Sequence, residues 1–179
     1  MSKYIDKSTY SLVINSADKI SGTNNNAIYS VNFQDFLPQN YDKYKVIFSA
    51  QTVGGNYLDS LIGTLYGSAK LLIDFNCRQY SWETSKKSQS LVLGCLQRDV
   101  QTTTTNTNAL STFHGQYPPR TITRPITSTI NVQIINTKTN GPLTDTNGTG
   151  VATSDMTAYT IFLEFIPIED SILIANSTI

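Results

Sequence analysis

Apolar and polar residues alternate with period two along most of this chain, while helical periodicity is nearly absent. Tyr10, Leu12 and Ile14 alternate with Ser11, Val13 and Asn15. Ala27, Tyr29, Val31 and Phe33 share a face opposite Ile28, Ser30 and Asn32. The same pattern puts Tyr44, Val46, Phe48, Ala50 and Thr52 on one face, and Leu71, Ile73, Phe75 and Cys77 on another. Leu91, Leu93 and Cys95 oppose Val92, Gly94 and Leu96. Ile130, Val132 and Ile134 form a further face, as do Tyr159, Ile161, Leu163 and Phe165. Side chains on a strand point alternately to its two sides, so each segment predicts a strand with one face buried. A weaker strand is expected within Thr102 to Phe113, where threonine-rich sequence suits an edge.

The connections carry turn chemistry. Asn24-Asn25-Asn26, Gly54-Gly55-Asn56, Asn140-Gly141-Pro142 and Asn147-Gly148-Thr149-Gly150 tolerate positive φ or pre-set a turn. Asn140-Gly141 predicts a reversal soon after Ile134 and Ile135. Pro118, Pro119 and Pro125 predict an extended connector outside any ladder over Tyr117 to Thr127. One or two helical turns are expected only in Asn56 to Tyr66. Eight short antiparallel strands make a β-sandwich or barrel, and the absence of a fixed repeat argues against a propeller or solenoid. Period alone does not choose among jelly roll, immunoglobulin-like sandwich and closed barrel. The long central connectors favour a double Greek key.

At 179 residues the expectation is one domain over 1–179. A chain of this size needs no metal or disulfide staple to fold. Lys plus Arg number 13 and Asp plus Glu 13, so the net charge is zero. A neutral chain is a poor general binder of nucleic acid, which demands clustered cations. Thr, Ser and Asn number 24, 18 and 15. These residues can form neutral hydrogen bonds across contacts without desolvating ions. The first ten residues hold no apolar run of signal-peptide length, and no segment reaches the roughly 20 apolar residues that span a bilayer. Cys77 and Cys95 are expected as free thiols. The sequons at Asn147 and Asn176 are read as chance products of the composition.

Catalytic equipment is not visible. The single histidine, His114, reads as a loop residue with no nucleophile elbow and no nearby carboxylate. One imidazole and two distant cysteines make no recognised zinc or cupin-type set. Gly148-Thr149-Gly150 leads into Val-Ala-Thr rather than a Lys-Ser/Thr helix start, so it is a turn and not a phosphate cradle. Asp145 and Asp155 flank it without EF-hand spacing. No catalytic residue, metal or cofactor is expected. Tyr57, Tyr66, Tyr80 and Tyr117 lie outside or at the margins of the strands, where they either close the ends of a sandwich or line a sugar or protein contact.

Four segments, 15–33, 71–99, 118–125 and 132–170, carry a further signal. "NSADKISGTNNNAIYSVNF", "LLIDFNCRQYSWETSKKSQSLVLGCLQRD", "PPRTITRP" and the stretch from "VQIINTKTNGPLTDTNGTG" to "SDMTAYTIFLEFIPIED" resemble the small single-jelly-roll capsid proteins of large icosahedral double-stranded DNA viruses of algae and protists. The likeness is greatest to the penton, or vertex, type. It implies a single eight-stranded antiparallel jelly-roll sandwich with a structural rather than enzymatic role. It also implies a homo-pentamer at the vertices of a virion assembled in the host cytoplasm, with double-jelly-roll major and minor capsid proteins as neighbours. The alternatives are a minor capsid protein bridging capsomers and a glycan- or receptor-binding module of the same fold.

Candidate subunit contacts lie in the N-terminal arm Met1 to Thr9, at Tyr4 and Ile5, and in the tail Ser171 to Ile179, at Ile172 and Ile174. Apolar terminal residues of this kind are sensible if a neighbour or the chain's own sheet covers them. Arg120 and Arg124, which bracket the proline connector, complete the set.

Overall fold

The structure is a computed structural model and describes residues 8–53, 68–80, 82–83, 88–89, 91–98, 110–115, 119–137, 140–144, 155–156 and 158–169. Its strands are β1 (Tyr10–Asn15), β2 (Ser21–Thr23), β3 (Asn26–Ser30), β4 (Lys43–Val53), β5 (Ser68–Asp74), β6 (Trp82–Glu83), β7 (Ser88–Gln89), β8 (Val92–Arg98), β9 (Leu110–Gly115), β10 (Arg120–Thr123), β11 (Thr129–Asn136) and β12 (Tyr159–Ile168). All the pairings are antiparallel, and the fold is all-β.

The eight strands of five or more residues pair as nested sets: β1 with β12, β3 with β11, β4 with β9, and β5 with β8. Further ladders join β12 to β4, β11 to β5 and β8 to β9, giving the continuous order β1-β12-β4-β9-β8-β5-β11-β3-β2. This sheet wraps over itself. Tyr29 on β3 and Tyr159 on β12, far apart in that order, share a hydroxyl–hydroxyl hydrogen bond of 2.8 Å.

The core lies between the facing layers, and the alternation sets its composition. Tyr44, Val46, Phe48 and Ala50 of β4 are buried, as are Tyr159, Ile161, Leu163 and Phe165 of β12. Opposite them lie Ile130, Val132 and Ile134 of β11 with Leu71 and Ile73 of β5. Full burial of each Val, Leu, Ile or Phe among these contributes about 1.5–3 kcal/mol. One end of the core is aromatic. Phe33 lies 6.2 Å from Phe75 and 6.0 Å from Phe165, and Phe75 lies 5.8 Å from Phe165, all edge-on. Edge-on rings oppose their partial charges favourably, adding about 0.5–1.5 kcal/mol per pair beyond burial.

The opposite end is closed by a polar latch. The Asp155 carboxylate accepts the backbone N–H groups of Asn24 (2.9 Å), Asn25 (3.1 Å) and Met156 (2.8 Å). Asn24 and Asn25 return side-chain amide bonds to the carbonyls of Met156 and Leu143, both 2.9 Å. The β2–β3 turn is thereby tied to the approach to β12. Each buried backbone group it satisfies would otherwise carry a desolvation cost.

Several expectations change. Each of the eight expected strands has a counterpart, but β9, expected at an edge, lies between β4 and β8; β2, β6, β7 and β10 are additional. Part of the expected non-ladder connector is the strand Arg120–Thr123, paired with β4. Pro119 and Pro125 flank those four residues but none lies among them, so their N–H groups remain free to pair. The strand expected through Phe33 stops at Ser30, where the Val31 N–H turns to the Ser128 carbonyl. Phe33–Phe36 then forms one helical turn, α1, too short for any period to register. The expected turn at Asn56 to Tyr66 lies outside the described residues. Against β5, β8 fits one extra residue, Leu93, between Val92 and Gly94. The reversal at Asn140-Gly141 is present, with Asn140 at φ 57°. Cys77 and Cys95 are free and half-buried.

Candidate functional site

Two surfaces stand out. The first is a corner where β4, β10 and residues 78–80 run side by side. The Thr123 N–H donates to the Arg78 carbonyl (2.8 Å), and the Tyr80 N–H donates to the Thr121 carbonyl (2.9 Å). On its other side β10 pairs Thr121 with Lys45 and Thr123 with Lys43. Ile122, Tyr44 and Gln79 point inward and are buried, with the Gln79 amide donating to the Ile73 carbonyl (3.0 Å). Alternation therefore turns Lys43, Lys45, Thr121, Thr123, Arg78 and Tyr80 outward as one face. The Arg78 guanidinium lies 5.0 Å from the centre of the Tyr80 ring, and Lys43 Nζ lies 5.9 Å from it. Ring quadrupole and cations attract each other, which orders the two charges at the surface. Trp82, two residues on, begins the separate β6–β7 ribbon and is 65% exposed.

Beneath this face, burial pushes the Tyr44 hydroxyl up to about 12, with Arg124 acting in the opposite direction. The Tyr44 hydroxyl donates to the Pro38 carbonyl (2.9 Å). Burial also raises the Cys77 thiol to about 11, against a lowering hydrogen bond from Thr123.

The second surface is the outer face of β1, β12 and β4. Val13 pairs with Phe162, and Phe162 pairs with Ser49, placing Ile47 on the diagonal. Val13 is 49% exposed, Ile47 38% and Phe162 37%. Around them stand Ser11, Asn15, Ser49, Gln51 and Thr160, with Glu164 and Lys45 as the flanking charges. Apolar groups ringed by neutral hydrogen-bonding groups suit burial against another protein.

Of the expected contact residues, Tyr4, Ile5, Ile172 and Ile174 lie outside the described residues. Arg120 opens β10 opposite Val46, half-buried on the same side of the strand as Ile122. Arg124 follows β10, half-buried, and its N–H donates to the Asp42 carbonyl (2.8 Å). His114 is a strand residue rather than a loop residue, in register with Ser49 and Gln97. The Asp155 carboxylate is occupied by backbone N–H groups, while Asp145 lies outside the described residues. Among the described residues no group of three or more His, Cys, Asp or Glu could hold a metal, and no helix is long and apolar enough to cross a membrane. Tyr57, Tyr66 and Tyr117 also fall outside the described residues, whereas Tyr80 is exposed.

The outer-face patch had a signal in the sequence. Val13, Ile47 and Phe162 are apolar residues on the polar side of their own alternation. The basic corner had none, because its strands come from three distant parts of the chain. No protein-family model matches this chain, and no curated protein matches it.

Proposed function

We propose that this chain is a structural capsid protein with a jelly-roll fold, forming a homo-pentamer at the vertices of an icosahedral virion. The strand order carries the reading. Numbering the eight long strands along the chain, the nested pairs are first with eighth, second with seventh, third with sixth and fourth with fifth. A long hairpin rolled up in this way yields layers 1-8-3-6 and 2-7-4-5, the arrangement of a jelly roll built from two Greek keys. Fold alone does not imply function. The resemblance of four segments to vertex-type capsid proteins supplies the rest. Two of those segments, 15–33 and 132–170, are the ones joined by the Asp155 latch.

The outer face with Val13, Phe162 and Ile47, on which the charges among the described β1, β12 and β4 positions are Glu164 and Lys45, with Lys43 at the end of β4, suits packing between copies. A ring needs heterologous contacts that close, and such contacts bury scattered apolar groups without desolvating ions. On this reading the protein transforms no substrate and resides in the virion. Imaging of purified particles tests it, with mass measurement of the purified chain at high concentration. Density for this chain at the fivefold axes and a five-copy mass are the expected results. Density only at other positions would move it to a bridging, minor-capsid role. A chain that stays monomeric and is absent from particles would overturn the proposal.

A further inference from the structure

We infer that the outer face of β3 and β11 receives the face bearing Val13, Ile47 and Phe162 of the next copy, so that each subunit binds the following one front to back. The inference rests on the ring proposed above and names the two surfaces that would close it.

The two faces lie on opposite sides of the molecule. Tyr29 and Tyr159 meet hydroxyl to hydroxyl in the core, 2.8 Å apart. Side chains alternate along a strand, so their chain neighbours Ile28 and Thr160 point outward on opposite sides. Among the described residues of the main sheet, the exposed large apolar side chains on strands are Val13, Ile47 and Phe162 on one side and Ile28, 37% exposed, on the other. A face that binds its own copy does so about a two-fold axis and stops at two subunits. A ring of five needs two different faces on each copy, and the sandwich offers these two back to back.

The β3–β11 face consists of uncharged amides and hydroxyls around Ile28. By register Ile28 lies between Ser21 and Asn131. Asn131 Nδ2 donates to Asn26 Oδ1 (3.1 Å), and Gln133 Nε2 donates to Asn131 Oδ1 (2.9 Å). The three amides thus form a ladder across the two strands. Bonded to one another, they lose less side-chain freedom on being covered than unbonded long side chains would. The outward positions of β2, β3 and β11 carry no ionisable group. The nearest charges by register are on β5, with Asp74 opposite Asn131 and Lys70 opposite Ile135. The Asp74 carboxylate accepts the Asn76 N–H (2.8 Å).

Such a face complements the one it would meet. The opposing face carries Glu164 and Lys45 beside its apolar centre, with Lys43 at the end of β4. Asn and Gln present both a donor and an acceptor, so they can hydrogen-bond a carboxylate and an ammonium alike. An uncharged ladder also sets no like charge against either one. Ile28 supplies apolar surface for Val13 and Phe162.

The test measures the mass in solution of the full chain at the concentration at which it assembles. Ile28→Lys and Phe162→Asp each damage one face and leave the other whole. Each alone should remain monomeric, because a charge would have to be desolvated against apolar groups. Mixed in equal amounts, they should form a two-copy species and go no further. The intact face of one variant then meets the intact face of the other, and both remaining faces are damaged. A contact between like faces gives no such complementation. Ser30→Lys, at an exposed outward position of β3, should behave as Ile28→Lys does, and unchanged melting of each variant is the control for folding. Wild-type rings from both Ile28→Lys and Ser30→Lys would overturn the inference and leave the capsid reading standing. A mixture that stays monomeric overturns it likewise. A wild-type chain that forms no five-copy species overturns the inference and the ring together.

Discussion

The hydroxyl of Tyr29 lies 2.8 Å from the hydroxyl of Tyr159, joining β3 to β12 inside the fold across 130 residues of chain. Both rings are buried, so each hydroxyl is the other's means of avoiding an unsatisfied polar group. Tyr29→Phe or Tyr159→Phe alone leaves one buried hydroxyl without this partner and should cost about 1–3 kcal/mol. The double variant should cost less than the sum of the two. Urea denaturation of the four proteins in a double-mutant cycle measures the coupling, and additive losses would show that the bond contributes nothing.

Alkaline pH should destabilise the protein through its buried tyrosines. Burial raises the hydroxyls of Tyr44, to about 12, and of Tyr29 and Tyr159. Unfolded tyrosines ionise near pH 10. Below that value both states hold the proton and this stabilisation is complete. Above it the unfolded chain releases protons that the folded chain retains, so stability falls until the pH passes the folded values. Urea midpoints should be nearly equal at pH 7 and 8, lower at pH 10, where the unfolded tyrosines are half ionised, and sharply lower at pH 11.5. Tyr44→Phe should reduce the drop.

Gly22 has φ +88°, and a Cβ there would overlap the Asn26 carbonyl oxygen across the β2–β3 hairpin. Gly22→Ala therefore combines a left-handed backbone with a clash against main chain and should cost about 3 kcal/mol. Ser21→Ala, at an exposed neighbouring position, should change stability by less than about 0.5 kcal/mol. Thermal melting of the pair separates a conformational requirement from a general sensitivity of the hairpin.

Asp155→Asn should loosen the latch. An amide keeps one accepting oxygen and replaces the other with a donor that faces the N–H groups of the Asn24–Asn25 turn. A loss of about 2–3 kcal/mol is expected, since hydrogen bonds to a charged acceptor are the stronger ones. Hydrogen exchange should show the amides of Asn24 and Asn25 losing protection before those of β4 and β12.

Cys77 should be a slow nucleophile. Its thiol is raised from 9.0 to about 11, which leaves about a hundredfold less thiolate at pH 8. In a Cys95→Ser background, labelling by a disulfide reagent should be about a hundredfold slower in the native protein than in urea. Equal rates would place the thiol in water.

Phe162→Asp tests the outer face. The side chain is partly exposed and opposite Val13, so the monomer should fold with little change in melting temperature. The variant should fail to form the proposed ring, because a carboxylate would have to be desolvated against an apolar neighbour.

Period two by itself determined which residues face the core. Tyr44, Val46, Phe48 and Ala50 are buried as the alternation requires, and so are Tyr159, Ile161, Leu163 and Phe165. In a strand, side-chain direction is a local property, fixed by the pleat and independent of the partner. Only the tertiary structure decided which strands are neighbours. Nothing near Asn24 in the sequence announces Asp155, and nothing near Arg78 announces Lys43 or Thr123. The same limit explains the short strand at Arg120–Thr123, whose pairing depends on β4 lying beside it rather than on its own four residues. Pairing and latching join groups separated by tens to more than a hundred residues, and their energy exists only once the chain has closed those loops.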